Sequence, residues 1–511
     1  MISNFIKRGA IKIYNYLDNK ESLKNENVEY LEYLLKRYRL SEKRRYQLVG
    51  EKYYKGEHDI LKKKRTVVDE NGNECELKNL PNSRRVDNQY SIAVDKKVNY
   101  LLGKKPSYNS DNNKICEELP LIFNNQFNRT FRNVLKDALN CGLGYMFLYI
   151  DERANLKFKR LKPYEVYPVW SDDEHTELEL VIRVFKRKEF IDGREQEIEY
   201  MEVYNIDSVS TYVVNNMSID RKISTVPYIS TLSDDNETWL SWGERIPILP
   251  FKYNSDEMPL IQKIKPLQDG VNEILSTFNN NISENPYNSV LVIKNLDGTD
   301  VNRFKRNLAE TGIIKVRSTS DSQGGVDQLK VDVNASNYNL ILDIFRNAII
   351  ENARSFDAKG DMMSSRPNEM NIQSMYSDID IDSNGIETEF RATFDDIFDF
   401  VKSYLVEFKK VDISEENHNI EILFNKDVLI NESQVIDDIT KSVGVISNRT
   451  LVEKHPYTNN IKEEIDRIEA EQRKREEQNN EINSKKDKSN EENLTNNDIL
   501  NKEDKKSLND V

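Results

Sequence analysis

Two methionines stand side by side in a polar stretch, Met362 and Met363, with Lys359 before them and Ser364, Ser365 and Arg366 after them. Methionine is unbranched and adaptable, so such a pair suits a contact surface that moves. Lys359 and Arg366 can touch phosphates without reading a base. The plainer alternative is a pair tucked into local packing, and the residues alone leave both readings open. Basic residues gather earlier, at Lys294, Arg303, Lys305, Arg306, Lys315, Arg317 and Lys330, where they can meet nucleic acid or an acidic protein. Acids are nearly as frequent there (Asp297, Asp300, Glu310, Asp321, Asp327, Asp332), so a mixed solvated surface explains them equally well. Asp378, Asp380 and Asp382 form a third group. On a helix the first and third share a face and the middle one does not. Asp378 and Asp382 then make a solvent- or channel-facing acidic stripe. The carboxylates of a metal-dependent nuclease would converge from separate elements.

Catalytic signatures are scarce. The chain has no G-x-x-x-x-G-K, G-x-G-x-x-G, G-x-S-x-G or H-E-x-x-H. Its four histidines (His58, His175, His418, His455) are isolated in sequence and read as solvated or core residues. Asp172-Asp173-Glu174-His175 lies between two strand candidates and reads as a polar turn rather than a metal site. Cys75, Cys116 and Cys141 are widely spaced and odd in number, which suggests neither a disulfide framework nor a zinc site, and a reducing cytoplasm suits them. No catalytic residue, metal or cofactor is expected.

The 511 residues carry a net charge of −14, with 37% hydrophobic and 32% charged residues. That length allows roughly three domains and a real core. No run of ~18 apolar residues exists, so no membrane-spanning helix is expected. The first 16 residues lack the apolar core of a secretory signal. The acidic balance argues against a general nucleic-acid binder, but not against a protein that lets nucleic acid pass without gripping it.

The elements that must position these residues follow from hydrophobic periodicity. Leu31, Leu34, Leu35 and Tyr38 predict a helical segment over 27–55, whose basic run Lys43-Arg44-Arg45 reads as a solvated face. Asn71-Gly72 predicts a hairpin over 66–77. A second helix runs from an Asn88 cap to Gly103 and a third over 129–140, ended by Gly142-Leu143-Gly144. Strands follow at 145–150, 156–161, 178–185 and 198–204, so the first ~250 residues read as α+β. Pro266 suits a first helical position, and Leu267, Val271, Ile274, Leu275, Phe278 and Ile282 continue that helix to Asn285-Pro286. An insert over 290–333 holds strands at 290–293, 313–316 and 329–333 and a helix at 300–310. A helix from Ser336 or Asn337 to Phe356 turns Leu340, Ile341, Ile344, Phe345, Ala348 and Ile349 inward. Gly360 and Pro367 make 357–370 a loop. Ile372, Met375, Ile379, Ile386, Phe390, Phe394, Ile397, Val401, Tyr404 and Phe408 then hold one stripe over 371–409, a helix of ~58 Å with Gly385 as a possible bend. One strand at 419–424, small helices over 431–470 and a polar disordered tail from 479 complete the reading.

Five segments resemble a known family. They are Tyr53-Tyr54-x-Gly56-x-His58-x-Ile60; the run from Asn88 through Tyr100-Leu101-Leu102-Gly103-Lys104-Lys105-Pro106; Gly142-x-Gly144-Tyr145-Met146-x-x-Tyr149-x-Asp151; Pro163-Tyr164-Glu165-Val166-x-Pro168; and Ser365-Arg366-Pro367-Asn368-Glu369-Met370-Asn371-Ile372. Their order, and the helix–insert–helix–loop–long-helix plan behind them, resemble the portal proteins of long-tailed phages of Gram-positive bacteria over about residues 30 to 460. The resemblance implies an α+β, multidomain subunit of a closed ring. Residues 1–256 would be wing, 257–284 and 337–356 stem, 285–336 clip, 357–370 tunnel loop, 371–409 the long wing helix and 410–477 crown, with 478–511 outside. It implies a ring homo-oligomer, usually a dodecamer, at one capsid vertex of the virion, assembled in the host cytoplasm. Double-stranded DNA would pass through it during packaging and ejection. Terminase, head-completion or adaptor proteins, scaffold and major capsid protein would be its partners, with no membrane.

The charge agrees with that role. Duplex affinity rises steeply with the number of phosphates neutralised, so a conduit must avoid a basic wall. A nuclease or packaging ATPase is the main rival and lacks its motifs. A non-ring head or tail adaptor or scaffold accepts the long helices but gives the insert and loop between them no purpose.

Overall fold

The computed structural model describes residues 28–68, 72–77, 80–191, 193–233, 236–240, 242–243, 245–284, 290–294, 325–329, 335–356, 369–411, 419–426, 432–458, 461 and 463–477. The chain divides into two compact units, Met1–Arg366 with Gln373–Asp427, and Pro367–Ile372 with Val428–Val511.

In the first unit the helical segment predicted over 27–55 is two helices, α1 (Val28–Leu40) and α2 (Glu42–Tyr54). Ser41 divides them because its extended backbone lets its hydroxyl accept the Arg44 N–H as an N-cap. The hairpin β1 (Thr66–Val68) and β2 (Glu74–Glu76) forms as Asn71-Gly72 predicts, with both strands exposed. Helix α3 (Gln89–Leu102) starts at Asn88, whose side chain accepts the Ser91 N–H. After β3 (Ser107–Ser110) comes α4 (Asn113–Ile122), which Pro120 inside it disguises in the sequence. Helix α5 (Asn125–Cys141) begins earlier than predicted, at an Asn124 cap, and ends at Gly142 in the left-handed region. No other residue fits at Gly142, since a Cβ would lie 1.9 Å from the Glu257 carbonyl oxygen.

The strands are β4 (Leu143–Ile150), β5 (Leu156–Leu161), β6 (Val166–Trp170), β7 (Leu178–Ile191), β8 (Arg194–Tyr204), β9 (Ser208–Asn215), β10 (Ser218–Pro227), β11 (Ile229–Ser233), β12 (Asn236–Leu240) and β13 (Ile248–Lys252). They pair antiparallel in a five-stranded sheet β10-β9-β8-β7-β6, a three-stranded sheet β13-β4-β5 and a pair β11-β12. Period-2 alternation sets the faces of the larger sheet. Leu180, Ile182 and Val184 pack under Leu31, Leu34, Leu35 and Tyr38 of α1. Val181 turns the other way, onto Leu143, Tyr145 and Leu161 of the smaller sheet.

Helix α6 (Leu260–Glu284) starts six residues before Pro266, the predicted start. The fully buried Leu260, Ile261 and Ile264 pull the earlier turn into the core and outweigh the backbone bond that Pro266 cannot make. In the insert, β14 (Val290–Lys294) pairs with β15 (Gly325–Leu329), so the last strand lies before the predicted 329–333. The helix and strand expected at 300–310 and 313–316 lie outside the described residues. Helix α7 (Ala335–Asn352) and helix α8 (Glu369–Lys409) complete the helical frame. On α8, Ile379, Ile386, Phe390, Phe394, Ile397, Val401 and Tyr404 are buried as their stripe predicts. They meet Phe123, Phe127, Phe131 and Phe251 in an aromatic core. Strand β16 (Ile420–Leu423) pairs with β3.

The second unit contains α9 (Glu432–Lys441) and α10 (Asn448–Lys454), the latter capped by Ser447, and helical residues from 463 to 477. These are the small helices expected there. The tail from 478 lies outside the described residues.

Candidate functional site: a strapped helix pair with an open apolar face

Helices α6 and α7 pack side by side. Phe278 meets Tyr338 at 4.8 Å between ring centroids, and Asn281 donates to the Tyr338 hydroxyl at 2.9 Å. Gly270 makes the closest approach, since a Cβ there would lie 2.6 Å from the Phe345 ring. Along another face of α6 the chain entering α3, with the first turn of that helix, runs antiparallel as a strap. The Tyr90, Asp87, Arg85 and Ser83 N–H groups donate in turn to Gln268, Asn272, Ser276 and Asn280, at 3.0, 3.1, 2.9 and 2.7 Å. Four residues of helix rise ~6 Å and two of extended chain span ~6.6 Å, so Asn272, Ser276 and Asn280 can meet the alternate amides of Asp87, Arg85 and Ser83, while Gln268 meets Tyr90 in the first turn of α3. Arg346 of α7 grips the same strap through Asp87, with Nε and Nη2 donating to Oδ2 at 3.0 and 2.8 Å.

The segment Tyr53 to His58 locks onto the same helix. His58 is buried; its Nδ1 accepts from the Asn272 amide at 2.7 Å and its Nε2 donates to the Tyr53 carbonyl at 3.0 Å. Burial pushes its pKa down, so the ring is neutral. It stacks on Tyr53, whose hydroxyl donates to Asp269 at 2.6 Å, and Lys265 bridges Asp269 and Asp59. The Asn88 amide donates to the Tyr53 and Tyr54 carbonyls. The tyrosine–glycine–histidine segment and Asn88 are thus a clamp that fixes α6.

Helix α7 differs. Leu342 and Ile349 are buried, but Leu340, Ile341 and Ile344, expected to turn inward, are 61%, 41% and 57% exposed. Among the described residues the face they form has no cover, because α6 and the strap meet α7 on the opposite side, at Tyr338, Phe345 and Arg346. Ile282 of α6 is also half exposed.

Of the residues singled out in the sequence, Lys359, Met362, Met363, Ser364, Ser365 and Arg366 lie outside the described residues, as do Arg303, Lys305, Arg306, Lys315, Arg317 and Lys330. Lys294 ends β14. Asp378 is exposed on α8, as a surface stripe requires. Asp382 is not a surface acid: its Oδ2 accepts from the buried Lys97 ammonium at 2.6 Å, and the Tyr253 hydroxyl lies 3.3 Å away. The four-residue step does share a helical face, but that face passes from solvent into the core between the two residues. Asp380 accepts from Tyr100 and Lys426.

Asp172 closes the expected polar turn. Desolvation opposes its ionisation, yet the Glu177 and Thr176 N–H groups hold its pKa down to about 2. His175 in that turn donates from Nδ1 to the buried Glu257 carboxylate at 2.7 Å, which also takes Lys43. Lys43 therefore belongs to an internal junction rather than the solvated face predicted for its run, and burial lowers its pKa to about 8. None of the three cysteines is in a disulfide among the described residues. Among the described residues no group of three or more His, Cys, Asp or Glu is placed to hold a metal, and no helix is long and apolar enough to cross a membrane.

Sequence reasoning missed the strap. A row of Gln268, Asn272, Ser276 and Asn280 opposite an apolar face looks like an ordinary solvent side. Its one signal is that all four are uncharged, where a wet helix face normally carries Lys and Glu.

The helix pair α6 and α7 is interrupted by the insert that holds β14 and β15, and the 41-residue α8 follows it. The family described as phage portal protein, SPP1 Gp6-like, matches residues 35–478, and the chain belongs to that family. It is 24% identical over 429 residues to the portal protein of Bacillus phage SPP1, covering 83% of each chain. It is 25% identical over 441 residues to the portal protein of Clostridium phage phiCD119, covering 84% of this chain and 92% of that protein.

Proposed function

We propose that this portal protein assembles as a closed ring, a dodecamer, at one capsid vertex of a virion. In that role it is a conduit for double-stranded DNA in packaging and ejection, and a docking platform for terminase and then for head-completion proteins, with scaffold and capsid protein around it. The role is architectural rather than catalytic. The observation that carries the ring is the outward apolar face of α7, Leu340, Ile341 and Ile344, on a helix anchored to its own chain through the buried Leu342 and Ile349. In a heterologous ring contact each copy offers one face to a different face of the next, and rotation closes the set. Large apolar residues half exposed in the isolated subunit are what such a contact covers.

In this reading residues 1–256 are wing, 257–284 and 337–356 stem, 285–336 clip, 371–409 the long wing helix and 410–477 crown. Lys359, Met362, Met363, Ser364, Ser365 and Arg366 belong to a loop that narrows the channel. Lys294, Arg303, Lys305, Arg306, Lys315 and Arg317 face the motor and adaptor. The net charge of −14 keeps phosphate adhesion low, so DNA slides. The acidic stripe reduces to Asp378, since Asp382 is internally paired. Electron microscopy with native mass on the full-length protein tests the reading. Closed rings with an axial hole are expected; a defined small oligomer without a hole would sink it.

A further inference from the structure

Helix α3 holds the end of α7 and, beyond residues 357–368, the Tyr376–Asp382 stretch of α8. On the near side, α7 ends in a left-handed turn at Arg354, with φ +46°, where the Ser355 N–H reaches back to the Ile350 carbonyl at 2.9 Å. Glycine normally fills that position, and an arginine held there needs support from its surroundings. The support is Lys97 of α3, whose ammonium donates to the Arg354 carbonyl at 3.1 Å. Its neighbour Lys96 donates to the Phe356 carbonyl and lies 5.0 Å over the Phe356 ring. On the far side, the same Lys97 ammonium binds Asp382 of α8. Tyr100, one helical turn on, stacks on Tyr376 at 5.7 Å and donates to Asp380 at 3.1 Å. Tyr376 in turn packs on Phe356 at 4.7 Å, so α8 meets the end of α7 as well as α3.

This junction carries features that simple packing does not require. Lys97 is 1% exposed, and an ammonium is costly to bury when a leucine would fill the space. The Ser355 and Ser383 hydroxyls, each next in sequence to a Lys97 partner, are buried without a hydrogen-bond partner among the described residues. Unsatisfied polar groups beside a left-handed arginine mark a site where position has been kept at the expense of stability.

We propose that Lys97 is a positioning residue, which ties the end of α7 to the Tyr376–Asp382 stretch of α8 and so fixes against each other the two helices between which residues 357–368 run. Its consequence for DNA passage rests on the reading of that segment as the channel loop. The test is hydrogen exchange on the assembled full-length protein, comparing wild type with Lys97→Met and with the paired Lys97→Met/Asp382→Leu, which leaves no lone buried charge. In the paired variant, peptides over 350–356 and 372–384 are expected to exchange at least about tenfold faster, with the β7–β9 peptides unchanged. Unchanged exchange in those two stretches would overturn the proposal, and so would equal acceleration in the sheet, which would make Lys97 a general core residue. Genome-filled particle counts separate the two readings. Local loosening with normal DNA filling keeps the positioning role and removes the loop from the DNA path. Local loosening with fewer filled particles supports both.

Discussion

Helices α6 and α7 pack against each other and invert each other's surfaces. Helix α6 buries a polar row, with Gln268 and Asn272 fully covered and Ser276 nearly so. Helix α7 leaves Leu340, Ile341 and Ile344 open. The ordinary amphipathic rule fails on both, for opposite reasons. The polar row of α6 is satisfied by backbone amides of its own chain, which is the condition under which buried amides and hydroxyls are tolerated. Among the described residues the apolar row of α7 has no partner, and in the proposed ring its partner is another copy. A helix pair of this kind is fixed on one side and free to recruit on the other.

The largest expected effect tests the open side. Leu340→Asp with Ile344→Asp should abolish rings on native mass measurement while leaving the subunit's own stability within ~0.5 kcal/mol, because both positions are exposed. If the subunit unfolds instead, the face is internal and the contrast with α6 collapses. The strapped side predicts the reverse. Asn272→Leu removes the acceptor of the Asp87 N–H and the donor to His58 Nδ1, leaving two buried groups unsatisfied. It should cost ~3 kcal/mol in denaturant unfolding, at ~1–3 kcal/mol per stranded group. Between the helices, Gly270→Val should cost ~1–3 kcal/mol by driving Phe345 from its seat, an overpacking penalty. A neutral result there would mean that α7 can shift on α6 without consequence.

The sequence shows the elements better than it shows their partners. The α8 stripe, the α1 face and the caps at Asn88 and Gly142 are legible because each depends on local spacing or on one residue's conformational freedom. The strap is not, because Gln268 and Asn272 bond to amides some 180 residues away, and periodicity carries no information about distant backbone. The inward assignment of Leu340, Ile341 and Ile344 went wrong for a related reason. Amphipathicity identifies a face that must be covered, not the molecule that covers it. Asp382 joined the supposed acidic stripe because its partner, Lys97, lies 285 residues away. The resemblance to portal proteins was legible through Tyr53, His58 and Asn88, and the structure gives those residues their physical meaning as the clamp on α6.

The smallest expected effect sharpens that clamp. Burial lowers the His58 pKa below its ordinary 6.5, so at a pH between the two values the unfolded chain holds more protons than the folded one. Stability then rises with pH through that window. The contribution is complete above pH 6.5 and is lost as the pH falls through the folded value. Geometry gives the sign independently. A second ring proton would sit on Nδ1, facing the Asn272 amide that already donates there. Rotating that amide to accept would withdraw the oxygen that the Asp87 N–H uses. Protonation therefore sets the strap against the histidine, at a cost of roughly 1–2 kcal/mol for one stranded buried group. Unfolding midpoints measured from pH 7.5 to 5 should fall for the wild type and fall less for His58→Asn. Equal slopes would show that the ring tolerates its second proton and that the strap, not the histidine, holds α6.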